Sequence, residues 1–148
     1  MKTSEKGISL IMQFEGLSLQ SYLCDGKIWT IGWGTTIING NKVKKGDIIT
    51  IEQAEQFLKR DLQKFENIVN TRINVALNQN QFDALVSHTY NTGGSDTLFN
   101  LINSNAEKHK IKNWIETTYI EAQGKILNGL IIRRTKEAEL FFLKTFIL

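Results

Sequence analysis

The sequence predicts an α+β fold in which a small antiparallel β lobe and a mainly helical lobe are joined by a long helix. Apolar residues recur with helical spacing before residue 16 and again after residue 50, whereas residues 17–43 are rich in β-branched and aromatic side chains. The 148 residues contain no proline and no repeat. We therefore expect a single domain, with the β lobe at 14–50, the connecting helix at 51–70, and a helical lobe at 71–148 packed with helix 4–15.

The first helix is expected to begin after Ser4, a suitable N-cap, and to end near Gly16. Its apolar positions at i, i+3 and i+4 are Ile8, Ile11 and Met12. In the following β segment, Asp25-Gly26 and Asn39-Gly40 are hairpin-turn dipeptides. Strand alternation would place Thr30 on one face with Gly32 and Gly34, and the larger side chains on the other.

Later helices are predicted from caps and periodicity. Thr50 and Gln53 form a capping box at the start of the connecting helix, and Asn78 with Gln81 would cap a later one. The apolar stripe of the connecting helix comprises Ile51, Ala54, Phe57, Leu58, Leu62, Phe65, Ile68 and Val69. The remaining helices are expected over residues 78–91, 95–103, 106–119 and 129–142.

Composition and charge are those of an ordinary globular chain. Hydrophobic residues make up 41% and charged residues 22%, and the aromatic content of 9% argues against disorder. One cysteine excludes an intramolecular disulfide and, with two histidines, gives no zinc-binding pattern. We expect no metal, no cofactor and no nucleic-acid partner.

The net charge of +3 comes from the carboxyl-terminal end. Residues 1–124 carry equal numbers of basic and acidic side chains, whereas residues 125–148 carry five basic and two acidic ones. Leu140, Phe141 and Leu143 are expected in the helical core, so no stable membrane insertion is predicted. Because the amino-terminal residues show no signal-peptide pattern, we expect a monomer that starts in the cytoplasm.

Glu15 is the first candidate for chemistry. It follows Ile8 by seven positions and so lies on the apolar stripe of the first helix, where a carboxylate is uncommon unless it is paired or functional. It also falls in the last turn, where the helix dipole disfavours negative charge. Burial and the dipole both favour the protonated carboxyl that a general acid requires.

The residues from Glu15 onward read EGLSLQSYLCDGKIWTIGWG. This segment resembles the signature of the phage lysozyme family, glycoside hydrolase family 24, in which a Glu, an Asp nine positions later and a Thr fifteen positions later form the catalytic set. Glu15 and Thr30 match that set, and Cys24 occupies the middle position. The resemblance implies a lysozyme-like fold and a glycoside hydrolase of the lysozyme type, with Gly32 near the substrate.

The resemblance extends along the chain. Asn91, in the segment YNTG, falls where the family places a saccharide-facing amide, and GLIIRRTKE is similar to the family's carboxyl-terminal pattern. Either Arg133 or Arg134 is a candidate partner for Glu15. One departure is that Thr35 and Thr36 follow Gly34, where the family often has a histidine.

Cys24 is the second departure and leaves the chemistry open. As a thiolate it would act as a nucleophile or an electrostatic stabiliser, once its pKa falls from an ordinary value of ~8.5. Alternatively, Asp25 supplies the missing carboxylate from the adjacent turn, or Thr30 alone positions the attacking water. The resemblance implies that cysteine at this position is a variant within the family and not a sign of an inactive enzyme.

The leading functional hypothesis is an endolysin of the muramidase type, cleaving the β-1,4 bond between N-acetylmuramic acid and N-acetylglucosamine in bacterial peptidoglycan. The alternatives are a peptidoglycan-binding relative without catalysis and a lytic transglycosylase. The family also implies a separate pore-forming holin, which would release the enzyme from the host cytoplasm to the periplasmic cell wall.

Overall fold

A computed structural model describes residues 1–144 of the chain, and this part contains six helices and six short strands. In chain order the elements are α1 (Glu5–Glu15), β1 (Ser18–Leu23), β2 (Trp29–Gly32), β3 (Ile37–Ile38), β4 (Asn41–Lys42), α2 (Ile51–Arg72), α3 (Gln79–Thr92), α4 (Asp96–Asn103), α5 (Lys108–Thr117), β5 (Glu121–Ala122), β6 (Lys125–Ile126) and α6 (Asn128–Phe141). The predicted α+β class is confirmed.

Backbone contacts divide the chain into two compact units. The β unit comprises Ser9–Lys64, and the helical unit comprises Met1–Ile8 together with the residues from Phe65 onward. The five candidate residues of the signature segment therefore belong to the β unit, as does Thr35. The five are Glu15, Cys24, Asp25, Thr30 and Gly32.

The β unit is built on an antiparallel pair. In β1 and β2, Tyr22 lies opposite Thr30 and Ser18 lies opposite Gly32, with an irregular register between these two pairs. β2 ends at Gly32, which has φ +65°, and the chain then turns so that Ile31 and Thr35 exchange backbone hydrogen bonds of 2.9 and 2.8 Å. The alternation expected to run on to Gly34 is therefore wrong beyond Gly32, because the strand has already turned back.

The two predicted turn dipeptides, Asp25-Gly26 and Asn39-Gly40, differ in backbone conformation. Asn39 and Gly40 both have positive φ, at 48° and 81°, and join β3 to β4 as the two-residue turn that their sequence predicts. In the turn after β1 the residue with positive φ is Lys27, at 58°, and not Gly26. That turn is consequently one residue longer than the dipeptide alone would suggest.

The connecting helix α2 begins at its predicted cap. The backbone N–H of Gln53 donates to Thr50 Oγ1 at 3.1 Å, and the backbone N–H of Thr50 donates to Gln53 Oε1 at 2.9 Å. The fully buried positions of its apolar stripe are Ala54, Leu58, Leu62 and Val69. Ile51, predicted on the same stripe, is exposed, because it occupies the first turn of the helix.

The core of the helical unit lies around α3. Residues Phe82–Thr89 of this helix are all buried, and α3 packs against α6. The predicted capping box of Asn78 and Gln81 is present, and Gly93 ends the helix in the left-handed conformation at φ 87°.

Two buried carboxylates hold the amino-terminal segment on the helical unit. Asp83 accepts hydrogen bonds from the backbone N–H of Ser4 at 2.9 Å and from the Ser4 hydroxyl. Glu66 accepts from the backbone N–H of Thr3 at 2.6 Å and from its hydroxyl at 2.8 Å. The Ser4 hydroxyl also accepts from the backbone N–H of Gly7 at 3.3 Å, as expected of an N-cap.

Three sequence expectations fail toward the carboxyl-terminal end. The helix expected over 106–119 is shorter, and the β5–β6 hairpin, which was not predicted, follows it. Leu143 is 48% exposed, whereas Leu140 and Phe141 are buried as expected. The rest of the apolar carboxyl-terminal segment, residues 145–148, lies outside the described residues. Within residues 1–144, no helix is both long and apolar enough to cross a membrane.

Candidate active site

Glu15 is the last residue of α1 and belongs to the β unit. The backbone N–H of Gly16 donates to the carbonyl of Met12 at 3.2 Å, and Gly16 then leaves the helix with φ 67°. The Glu15 side chain is half-buried. The last turn of α1 contains no basic residue.

Cys24 sits at the start of the turn that joins β1 to β2. Its backbone N–H donates to the carbonyl of Ile28 at 3.1 Å, and its carbonyl accepts from the N–H of Lys27 at 2.8 Å. These bonds close the chain around the side chain. As a result, the backbone N–H groups of Ile28 and Gly26 donate to the sulfur atom.

Hydrogen bonding lowers the pKa of the Cys24 thiol below its ordinary value. The largest cause is the backbone N–H of Ile28, which stabilises the thiolate. Gly26 and the Thr30 hydroxyl act in the same direction, while partial burial and the negative charge of Asp25 oppose them. The turn therefore favours the thiolate, which is the form of cysteine that acts as a nucleophile or stabilises positive charge.

Thr30 lies on β2 with only 6% of its surface exposed. Its hydroxyl donates to the carbonyl of Ile28 at 3.0 Å and is within hydrogen-bonding reach of Cys24. Because a hydroxyl has one proton and two acceptor sites, its oxygen can still accept a hydrogen bond from a water molecule.

Tyr22 lies near both Cys24 and Glu15 within the β unit. It lies opposite Thr30 across the strand pair, and its pKa is raised by partial burial and by the neighbouring negative charges of Cys24 and Glu15. Both charges therefore act on the same phenol. Tyr22 was not singled out from the sequence, where it is simply one aromatic residue of a β strand.

Asp25 and Gly32, the two remaining candidates of the β unit, differ in their exposure to solvent. Asp25 is exposed in the turn, close enough to Cys24 to oppose its ionisation. Gly32 is buried, and the space a side chain would need is bordered at 3.5 Å by Ala54 and Ile49. Its positive φ and this close packing explain a glycine here without reference to a ligand.

Thr35 occupies the position for which the family often has a histidine. It is 1% exposed, and its hydroxyl donates to Asp61 of α2 at 2.7 Å. Arg60 donates to the same carboxylate at 3.1 Å and to the carbonyl of Ile37 at 2.5 Å. A neutral hydroxyl therefore joins the turn after β2 to α2.

The remaining candidates belong to the helical unit. Asn91 is exposed on α3, and its Oδ1 accepts a hydrogen bond from Arg134 at 2.5 Å. Its side-chain N–H groups form no hydrogen bond within residues 1–144. The amide is thus oriented with its donors available, and the guanidinium that orients it is completely buried.

Glu137 is the ion-pair partner of both candidate arginines. Its carboxylate lies 3.3 Å from Arg133 and 3.0 Å from Arg134, and it accepts from the Ser87 hydroxyl at 2.6 Å. Burial raises the pKa of Glu137, and the two arginines oppose that effect. Sequence reasoning placed Glu137 in the family pattern without seeing this pairing, although its i,i+3 and i,i+4 spacing is a visible signal. Pairing of an arginine with Glu15 stays a prediction.

A comparison with known families and proteins shows what this chain is similar to. The family described as phage lysozyme matches residues 12–137. The endolysin of Acyrthosiphon pisum secondary endosymbiont phage 1 is 38% identical over 95% of this chain and 98% of its own length. The chain spans about half the length of some longer relatives, namely 55% and 54% of the endolysins of Bacillus phages PZA and B103.

Two solved structures have the same fold. The endolysin from Escherichia coli O157:H7 phage FAHEc1 is 40% identical and superposes with a TM-score of 0.85, over 96% of this chain and 94% of its own. The muramidase domain of SpmX from Asticaccaulis excentricus is 33% identical, with a TM-score of 0.84 over 97% of this chain and 99% of its own.

Proposed function

Because this chain belongs to the phage lysozyme family, we propose that it is an endolysin that hydrolyses the β-1,4 bond between N-acetylmuramic acid and N-acetylglucosamine in bacterial peptidoglycan. The observation that carries the proposal is the local arrangement of Glu15, Cys24 and Thr30 in one unit. The Glu15 carboxyl and the Cys24 thiol both lie near the Tyr22 phenol, and the buried Thr30 hydroxyl is within hydrogen-bonding reach of Cys24. The similarity to the muramidase domain of SpmX supports cleavage of this bond.

Glu15 is the general acid in this proposal. Glycosidases of this kind protonate the leaving oxygen while the C–O bond breaks, and positive charge develops on the sugar ring. The acid proton goes to the glycosidic oxygen, which leaves as the hydroxyl of the released sugar.

Thr30 and Cys24 complete the reaction by acting on water. Thr30 Oγ1 accepts a hydrogen bond from the attacking water, and the Cys24 thiolate takes its proton as the oxygen bonds to the anomeric carbon. The thiol then returns its proton to Glu15 through solvent, which restores both groups. Attack by the thiolate itself, with a covalent intermediate, and use of Asp25 as the base are the alternatives that the variants described below distinguish.

Replacement of Glu15 by glutamine tests the acid. General acid catalysis contributes about 10²–10⁴-fold, so Glu15→Gln should reduce release of reducing ends from purified cell wall by at least about a hundredfold while leaving the fold intact. Glu55→Gln, on the exposed surface of α2, is the matched control and should keep full activity. Retention of more than about a tenth of the activity by Glu15→Gln would contradict the proposal.

The products separate the proposed reaction from its alternatives. Hydrolysis yields new reducing ends, whereas a lytic transglycosylase yields anhydro sugars that mass spectrometry identifies by the loss of one water. Binding to cell wall without either product would show a relative that has lost catalysis. We expect hydrolysis products, because Thr30 and the thiolate offer a site for water.

The biological setting is part of the same proposal. The chain would act as one domain and as a monomer, remain in the host cytoplasm until a separate holin opens a route, and then reach the periplasmic cell wall. Expression with and without a holin, with lysis timed by culture density, tests this order of events.

A further inference from the structure

The β unit contains a groove on the far side of β1 from the chemistry described above. Its volume is about 600 Å³, and it lies between β4, the segment Lys44–Ile49 and the first turns of α2. The lining mixes side-chain amides, two ammonium groups and apolar side chains, among them Asn41, Lys42, Ile48 and Phe57. Such a mixture suits a ligand that is itself partly apolar and partly charged.

The charge of the groove is positive. Lys42 and Lys44 are exposed, and neither forms an ion pair within residues 1–144. The single carboxylate that lines the groove, Asp47, accepts a hydrogen bond from the backbone N–H of Lys44 at 3.0 Å. This carboxylate is therefore engaged within the loop Lys44–Asp47. Two ammonium groups therefore remain for an anionic ligand.

One wall of the groove is an open backbone edge. The N–H of Ser21 donates to the carbonyl of Asp47, and the N–H of Ile49 donates to the carbonyl of Leu19, both at 2.9 Å. Ile48 lies between these bonds, opposite Gln20, so its own peptide groups point away from β1. They form no hydrogen bond within the described residues.

The side chain of Ile48 is also open, with 74% of its surface exposed. An unpaired strand edge with an exposed apolar side chain is the surface to which an extended peptide adds by backbone hydrogen bonds. A phosphate polymer would use the two ammonium groups but neither this edge nor the apolar lining. The combination therefore favours a peptide that carries carboxylates.

The groove and the candidate active site lie on opposite sides of the same strand, β1. The segment Lys44–Ile49 is hydrogen-bonded to β1, and β1 in turn pairs with β2, where Tyr22 faces Thr30. A polymer bound in the groove would therefore contact the same small sheet that carries Cys24 and Thr30.

We propose that this groove binds the carboxylate-bearing stem peptide of peptidoglycan, extended along Ile48, with Lys42 and Lys44 neutralising its carboxylates. The inference rests on the proposed function for its substrate. It adds a peptide-recognition site to a reaction that takes place on the sugar chain, and it predicts that the enzyme distinguishes peptide-bearing from bare glycan.

Two substrates and two matched variants test the groove. Initial rates are measured on purified sacculi and on glycan strands from which an amidase has removed the peptides. Exposed ion pairs contribute modestly, so Lys42→Gln combined with Lys44→Gln should lower kcat/KM on sacculi by about three- to tenfold and leave the rate on bare glycan unchanged. Lys110→Gln with Lys125→Gln removes the same charge from exposed sites elsewhere and should change neither rate.

Equal losses on both substrates, or equal losses in both double variants, would overturn the proposal in favour of general electrostatic attraction. Because Lys42 and Lys44 are exposed, replacing them should leave the fold intact. Thermal unfolding of each variant checks that it is folded.

A binding measurement separates the groove from the reaction. The peptide fraction released from sacculi by the amidase is titrated into ¹⁵N-labelled protein, and the amide resonances of Ile48, Asn41 and Lys42 should shift. The same peptides with their carboxylates amidated should shift them much less. If the wild-type protein cleaves neither substrate, the proposed function fails, whereas absent shifts at Ile48 refute the groove proposal alone.

Discussion

At the scale of single residues, Cys24 is the group whose chemistry depends most on its surroundings. A free thiol is largely protonated at neutral pH, but the turn directs the N–H groups of Ile28 and Gly26 at this sulfur. The Thr30 hydroxyl has a single proton, which goes either to the carbonyl of Ile28 or to the sulfur, and it favours the thiolate when it is directed at Cys24. Cys24, which stands where the family has a catalytic aspartate, therefore has an environment that favours its anionic form.

The pH dependence of kcat/KM tests the role of this thiolate. Because the pKa of Cys24 is lowered, the thiolate persists below the usual pKa of a thiol, and activity should fall only as pH drops through this lowered value. Cys24→Asp should move that acidic limb further down, toward the ordinary carboxyl pKa of about 3.9. Cys24→Ala should remove the limb together with most of the activity.

Asp25→Asn is the companion variant. If it leaves the profile unchanged, the role stays with Cys24. If it abolishes activity while Cys24→Ala does not, the carboxylate in the turn is the second catalytic group and the thiol is a bystander.

At the scale of elements, the start of α1 depends on a buried carboxylate of α3. Asp83 is fully buried and accepts from Ser4 and from the side-chain amide of Gln79 at 2.9 Å. Gly7 lies against it, so a methyl group at this position would come within 2.7 Å of Asp83 Cγ and of Thr3 Cγ2. Helix propensity favours alanine there, whereas packing excludes it.

Gly7→Ala should therefore destabilise the protein by about 1–3 kcal/mol, as overpacking of a filled site does, despite the gain in helix propensity. Gly129→Ala is the control, because nothing lies within 4 Å of a methyl group added at Gly129. It should be neutral or stabilise by up to about 1 kcal/mol. Equal shifts of Tm in the two variants would show that contact with Asp83 does not limit this position.

At the scale of the whole molecule, a buried histidine couples stability to pH. His88 is 2% exposed, between the rings of Trp114 and Tyr119, and burial together with the charges of Arg134 and Arg133 lowers its pKa to about 3. Between the ordinary histidine pKa of 6.5 and about 3, the unfolded chain binds a proton that the folded chain does not. Stability is therefore lost as pH falls through this range.

His88→Gln should reduce that loss. Between pH 7 and pH 4 the wild-type free energy of unfolding should fall by about 3 kcal/mol more than that of the variant, at ~1.4 kcal/mol per pH unit. Urea denaturation at the two pH values measures the difference. His109→Gln, in an exposed position, should behave as the wild type does. Glu137 has the opposite effect, because its raised pKa increases the free energy of unfolding as pH falls. Both variants retain Glu137, so its contribution cancels in the comparison.

Much of this molecule follows from signals that act between near neighbours in the chain. The capping boxes at Thr50 and Asn78, the end of α1 at Gly16 and the turn at Asn39-Gly40 are all confirmed, because caps and turns are satisfied by residues two to four positions away. The family signature around Glu15 is likewise contiguous, so the sequence alone determined the fold class and the candidate acid.

The tertiary structure decided what depends on groups distant in sequence. It revealed the pairing of Glu137 with Ser87, the packing of Gly7 on Asp83 and the open edge at Ile48. Cys24 is an exception, because its partners Gly26 and Ile28 are near it in sequence, but the direction of their backbone N–H groups follows from the closed turn and not from residue type. Local preferences place the candidate residues on their elements, whereas desolvation and hydrogen bonding across elements set their charges.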